Sequence, residues 1–165
     1  MAAVTTQSET KTVAVPSTAD RVVRILLLVV LFAGGLAVGT VGSFYHRGEF
    51  STGSLAWPDG LLLSLAGLVG VLLGLTELLP VATGPRATVP ARLPGLAAVG
   101  TAWVIAVIWL TYVGPPFSFR NKGDVVLAND WISMAYLIVG MGLITVFLYR
   151  AWMASLDVKL ARARG

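Results

Sequence analysis

Four long apolar runs without a single charged residue, 25–45, 60–76, 93–119 and 131–149, take up most of this chain of 165 residues. A bilayer core about 30 Å thick is crossed by roughly 20 helical residues, each rising about 1.5 Å. All four runs are near or above that length. In hydrocarbon every backbone N–H and C=O needs a partner inside the structure, so only helices and closed barrels can cross. Barrel strands alternate apolar and polar residues, and these runs do not, so the reading is helical. The sequence therefore predicts an all-α fold, a bundle of four transmembrane helices.

Composition agrees, since 56% of the residues are hydrophobic and only 12% charged, and the mean hydropathy is +0.83. A soluble domain of this size must keep a more polar surface than that. The net charge of +4 does not argue for nucleic acid, because the basic residues gather at the ends of the runs and in the tails. With the N-terminus in the cytoplasm, nine basic residues fall on the inner side, among them Arg21, Arg24, Arg86, Arg92 and Arg150, and three on the outer side, Arg47, Arg120 and Lys122. That asymmetry obeys the positive-inside rule, so both termini are expected to be cytoplasmic in a multi-pass protein of the plasma membrane. The basic ending Lys159-Leu-Ala-Arg-Ala-Arg164 is expected to meet anionic lipid, and no nucleic-acid partner is expected.

Residues 1–19 lack apolar periodicity and read as a disordered cytoplasmic tail. A signal peptide is the competing reading of the first run, but its 21 uncharged residues exceed an h-region of about 7 to 15. Asp20 is placed to cap helix one, Asp59 helix two and Asp130 helix four. Residues 20–152 form the transmembrane domain, with helix three expected over about 94–113. Residues 153–165 are a basic cytoplasmic tail that can continue helix four, with Trp152, Leu156 and Leu160 on one interfacial face.

Small residues carry the packing expectation. Gly35, Gly39 and Gly42 share a face of helix one, and Gly67, Gly70 and Gly74 share a face of helix two. Helices in lipid associate through close van der Waals approach, which small faces permit, so helices one and two are expected to pack tightly together. Ala98, Ala102 and Ala106 form a weaker stripe on helix three. The same stripes would serve a homodimer or a larger membrane complex equally well.

Few polar residues are candidates for chemistry. Glu77 sits in the last turn of helix two, where its charge opposes the helix dipole at the hydrocarbon edge. Ion pairing with Arg24, Arg86, Arg92 or Arg150 is the expectation, and a coupling carboxylate for transport is the alternative. His46 belongs to the cluster His46-Arg47-Gly-Glu49 at the outer end of helix one and is expected to be an interfacial side chain. A single imidazole cannot fill a zinc sphere, and the absence of cysteine removes thiolate sites. Arg120 and Asp124 belong to a second outer knot, Arg120-Asn-Lys-Gly-Asp124, read as a loop clasp. The two outer clusters share an order of aromatics, bases, glycine and acid, as a duplicated two-helix unit would leave. Neither a serine-nucleophile constellation nor a phosphate loop is present, so no cofactor is expected; a membrane enzyme would have to draw on His46, Glu49, Asp124 and Asp130.

Gly42-Ser-Phe-Tyr-His-Arg47, Arg120 to Asp124, Val125-Val-Leu-Ala-Asn-Asp-Trp131 and Leu137-Ile-Val-Gly-Met-Gly142 together resemble an actinobacterial family of small four-span integral membrane proteins of unknown function. That family's loop has the form Arg-Pro-x-Gly-Asp, matched by Arg120, Gly123 and Asp124, with Asn121 and Lys122 departing from it. The resemblance implies class and location without an activity. A non-enzymatic accessory or structural component is the expected role, with a small-solute or ion transporter as the alternative; the first run lacks the carboxylate that small multidrug exporters place in their first helix.

Overall fold

The computed structural model describes residues 17–46, 50–52, 55–81, 88–112 and 131–164. Four helices form the bundle: α1 Thr18–Tyr45, α2 Asp59–Leu78, α3 Arg92–Tyr112 and α4 Trp131–Arg164. Each is long and apolar enough to cross a membrane. The chain is a multi-pass integral membrane protein. Its outward surface is that of a lipid-solvated bundle, with Val30, Leu63 and Ile138 each about two-thirds exposed. In water such a surface would be a large apolar patch, whereas in a bilayer it is the solvated face.

Between α1 and α2 two short strands, β1 Phe50–Thr52 and β2 Leu55–Trp57, pair antiparallel with Phe50 opposite Trp57. The apolar-run pattern gives no hint of this hairpin. Its strands are only three residues long, too short for a period of two to register.

Helix one begins earlier than its capping expectation. Ser17 is the N-cap, its hydroxyl accepting from the Asp20 amide at 3.2 Å, while the Asp20 carboxylate accepts from the Ser17 amide at 3.2 Å. This reciprocal capping box satisfies two terminal donors, so Asp20 works from the third helical position rather than as the cap itself. Asp59 likewise lies inside the first turn of α2, with Pro58 ahead of it. Helix α3 starts at Arg92, two residues before Pro94, as the missing N–H of a proline allows in a first turn. The proposed cap Asp130 lies outside the described residues.

The bundle is built around α3, whose inward residues Leu96, Val99, Trp103, Val107 and Leu110 recur at three- and four-residue steps. Leu61, Leu68, Leu72 and Leu75 of α2 and Ile132, Tyr136 and Ile144 of α4 close on them. Helix α1 packs most extensively on α3, not on α2 as its glycines were expected to do. The buried residues of α1 are all small: Gly35, Gly39, Gly42 and Ser43. A Cβ on Gly35 would stand 2.8 Å from the Ala102 Cβ and 2.9 Å from the Val99 Cα; one on Gly39 would stand 2.9 Å from the Ala106 Cβ. These are backbone-to-backbone approaches that only glycine and alanine permit.

The second stripe has the opposite fate. A Cβ on Gly67, Gly70 or Gly74 would meet nothing within 4 Å, so this face of α2 is open. The expected α1–α2 glycine seam is therefore corrected to an α1–α3 seam of Gly35 and Gly39 against Ala102 and Ala106. The α3 alanines hold half of the true interface. Three further glycines, absent from the packing expectation, also make room: Gly140 of α4 admits the Trp103 ring, Gly100 of α3 admits Ile144, and Gly95 of α3 admits Leu79.

Helix α4 continues without interruption to Arg164, so the basic tail prolongs it. From Trp131 to Arg150 it rises about 28 Å, one bilayer thickness, and the remaining 14 residues project about 21 Å further. Trp152 and Leu160 on this projection are about half exposed.

Candidate functional site

Two polar regions lie at opposite ends of the bundle. At the end shared by the C-terminus of α1 and the N-terminus of α4, His46 is fully buried. It follows the last turn of α1, with its amide donating to the Gly42 carbonyl at 2.9 Å. Its ring reaches inward rather than toward the interface. Nδ1 lies 2.8 Å from the Ser43 carbonyl and Nε2 lies 3.0 Å from Ser133 Oγ on α4. A carbonyl only accepts, so Nδ1 carries the proton, and in the neutral imidazole Nε2 is left to accept from the Ser133 hydroxyl. The imidazole thus ties the end of α1 to the start of α4.

Aromatic stacking extends this clasp toward the centre. The His46 and Tyr136 rings stack with centroids 4.9 Å apart and an angle of 20°, and Trp103 meets Tyr136 at 5.3 Å and 58°. The Tyr136 hydroxyl fits against Gly42, where a Cβ would collide with it. Ser64 of α2 donates to the Gly42 carbonyl at 3.2 Å, adding the second helix to the same knot. Ser43 and Trp103 flank the Tyr136 hydroxyl, yet Ser43 Oγ, Trp103 Nε1 and Tyr136 Oη form no well-directed hydrogen bond among the described residues. In a low-dielectric interior the satisfied members of this knot, His46 with Ser43 and Ser133 and Ser64 with Gly42, favour one arrangement of the helices over slipped alternatives.

Chemically the His46–Ser133 contact has the distance of a base–nucleophile pair, but both side chains are completely buried. What the contact does in the fold is join the end of α1 to the start of α4. The expectation of an interfacial His46 is corrected: its ring is buried, and hydrogen bonds to the Ser43 carbonyl and Ser133 with stacking on Tyr136 are among the contacts that replace water.

The second region lies where α2 ends, α3 begins and α4 leaves the bilayer. A groove of about 510 Å³ is lined there by Glu77, Arg92, Arg150 and Asp157, over a floor that includes Leu73 and Phe147. The small side chains of Ala151 and Ala154 on α4 leave the space open. Arg92 is anchored by an Nε–H donating to the Leu79 carbonyl at 3.3 Å. Among the described residues, no ion pair joins Glu77 to a cation, so the expected pairing with Arg24, Arg92 or Arg150 is not formed. Arg86, the remaining candidate, lies outside the described residues. So do Arg47, Glu49, Arg120 and Asp124, and with them the two outer clusters.

Fold and sites together define a four-span integral membrane protein with a buried polar clasp at one end and a charged groove at the other. Comparison with protein-family models, curated proteins and solved structures gives no match to this chain. Ser133, Tyr136 and Trp103 were not singled out from the sequence. The signal that could have found them is the spacing of Ser133 and Tyr136, three residues apart and so on one face of α4.

Proposed function

We propose that this protein is a non-enzymatic accessory or structural component of the plasma membrane, with both termini in the cytoplasm and kinship to the small four-span family that its loop and last helix resemble. The observation that carries the reading is the closed axis of the bundle: Trp103, Tyr136, Leu68, Leu72 and Leu96 fill it with at most 1% exposure. A solute path needs polar lining and room, and this axis offers aromatic and aliphatic packing instead. The projecting end of α4, with Asp157, Lys159, Arg162 and Arg164, gives such a component a charged arm for a partner in the cytoplasm. The open Gly67, Gly70 and Gly74 face of α2 gives a second copy a surface on which to pack.

Two assays on the full chain test this role. Mild-detergent purification with crosslinking is expected to recover a defined partner, which is lost when residues 155–165 are deleted. Proteoliposomes are expected to show no solute or proton flux above empty vesicles. Transport is the second reading, favoured by the unpaired position of Glu77 among the described residues. A proton-coupled flux abolished by Glu77→Gln with expression intact would replace the accessory role with a transporter.

A further inference from the structure

The charged groove has a chemistry that the accessory role does not use. Two cations and two anions line one cavity, and among the described residues none of them forms an ion pair with another. They stand around it, with Arg150 and Asp157 on the same helix and seven residues, or two turns, apart. Arg92 is positioned by its Nε bond to Leu79, while its two terminal amino groups make no hydrogen bond among the described residues.

Location narrows the occupant. Arg150 lies one bilayer thickness along α4 from Trp131, and Glu77 lies in the last turn of an α2 that is itself 20 residues long. The groove therefore opens at the level of lipid headgroups, and its floor of Leu73 and Phe147 continues into the hydrocarbon zone. A purely anionic headgroup would meet the two arginines but also two carboxylates. A zwitterion with a hydrogen-bonding ammonium meets all four with the right sign.

We propose that this groove is a binding site for a phospholipid with an ethanolamine headgroup. The phosphate is held by the guanidinium groups of Arg92 and Arg150, which donate paired hydrogen bonds to its oxygens. The primary ammonium donates to Glu77 and Asp157, and an acyl chain lies along Leu73 and Phe147. A choline headgroup fits less well, because its methylated ammonium has no N–H to donate. The assignment stands independently of whether the protein is an accessory subunit or a transporter.

The test follows thermal unfolding of the full chain in detergent by tryptophan fluorescence, with added dioleoyl lipids bearing ethanolamine, choline or glycerol headgroups, and with free phosphoethanolamine. At saturating lipid the ethanolamine form is expected to raise Tm by about 5 °C, at least twice the effect of the other two. Free phosphoethanolamine is expected to do nothing at equal concentration. The double variant Glu77→Gln, Asp157→Asn is expected to reverse the order, so that the anionic glycerol headgroup becomes the better ligand. Arg150→Gln should lose most of the ethanolamine effect and Arg150→Lys should keep part of it. Native mass spectrometry of the unaltered protein gives an independent reading, with ethanolamine lipid retained preferentially from a mixture. Equal stabilisation by all three lipids, or a preference of the unaltered protein for the glycerol headgroup, would overturn the proposal. Stabilisation by free phosphoethanolamine as strong as by the lipid would sink the lipid as its source.

Discussion

Helices α1 and α2 carry glycine stripes of nearly the same spacing, yet one has no room for a Cβ and the other would place a Cβ with nothing within 4 Å. Gly35 and Gly39 meet α3 through Ala102, Ala106 and the Val99 and Trp103 backbones; a Cβ on Gly67, Gly70 or Gly74 would meet open space, Gly67 lining an apolar groove beside Ala37, Val38 and Val41 of α1. The contrast shows that a small-residue face licenses close approach without choosing the partner. What chooses is the rest of the helix. On α2 the leucines Leu61, Leu68, Leu72 and Leu75 occupy the inward face and turn the glycines away, whereas every buried residue of α1 is small.

Substitutions should separate the two stripes sharply. Gly35→Leu is expected to have the largest effect, about 3 kcal/mol or more, because its neighbours are α3 backbone atoms that cannot rotate away. Unfolding in mixed detergent micelles would measure it, and a cost below 1 kcal/mol would mean that the seam is not tight. Next comes the clasp: His46→Ala and Ser133→Ala are each expected to cost about 1–3 kcal/mol by removing the buried hydrogen bond between α1 and α4. Their double variant should cost less than the sum, since they share one bond; strict additivity in that cycle would argue against the clasp.

Gly42→Ala is expected to fall lower, about 1–2 kcal/mol, because it meets the end of the Tyr136 side chain rather than backbone. Tyr136→Phe removes the colliding hydroxyl and should rescue most of that loss, and an absence of rescue would place the clash elsewhere. The smallest effect belongs to the open stripe. Within a single copy of the chain, Gly70→Ala should change stability by less than about 1 kcal/mol, toward stabilisation, by restricting the unfolded chain. A large loss there, together with a smaller particle mass by light scattering, would reveal a second copy seated on α2.

Much of this fold was legible in the chain. Length and the absence of charge gave the four spans, because the bilayer imposes one requirement on every crossing segment. Helix boundaries were less visible. The capping of α1 is shared between Ser17 and Asp20, three residues apart, and the pattern alone does not say which of the two stands at the cap. Helix pairing was not readable, since it depends on which face of each helix the large side chains leave free. The candidate sites divide similarly. Glu77 was found by its misfit with the helix dipole, whereas the His46 clasp needs Ser133 from 87 residues away, a contact that no local pattern encodes.

The chain has no cysteine, so paired substitutions offer the most direct measurement of the central claim, that α1 is seamed to α3 and not to α2. The Gly39 and Ala106 Cβ positions are 2.9 Å apart, so the two helices must part by only about 0.6–1 Å to reach the roughly 3.5–4.5 Å that a disulfide spans. In membranes under mild oxidation, Gly39→Cys with Ala106→Cys is expected to form an intramolecular disulfide in most molecules, while Gly39→Cys with Gly70→Cys should form almost none. Efficient crosslinking of the second pair and failure of the first would contradict the account.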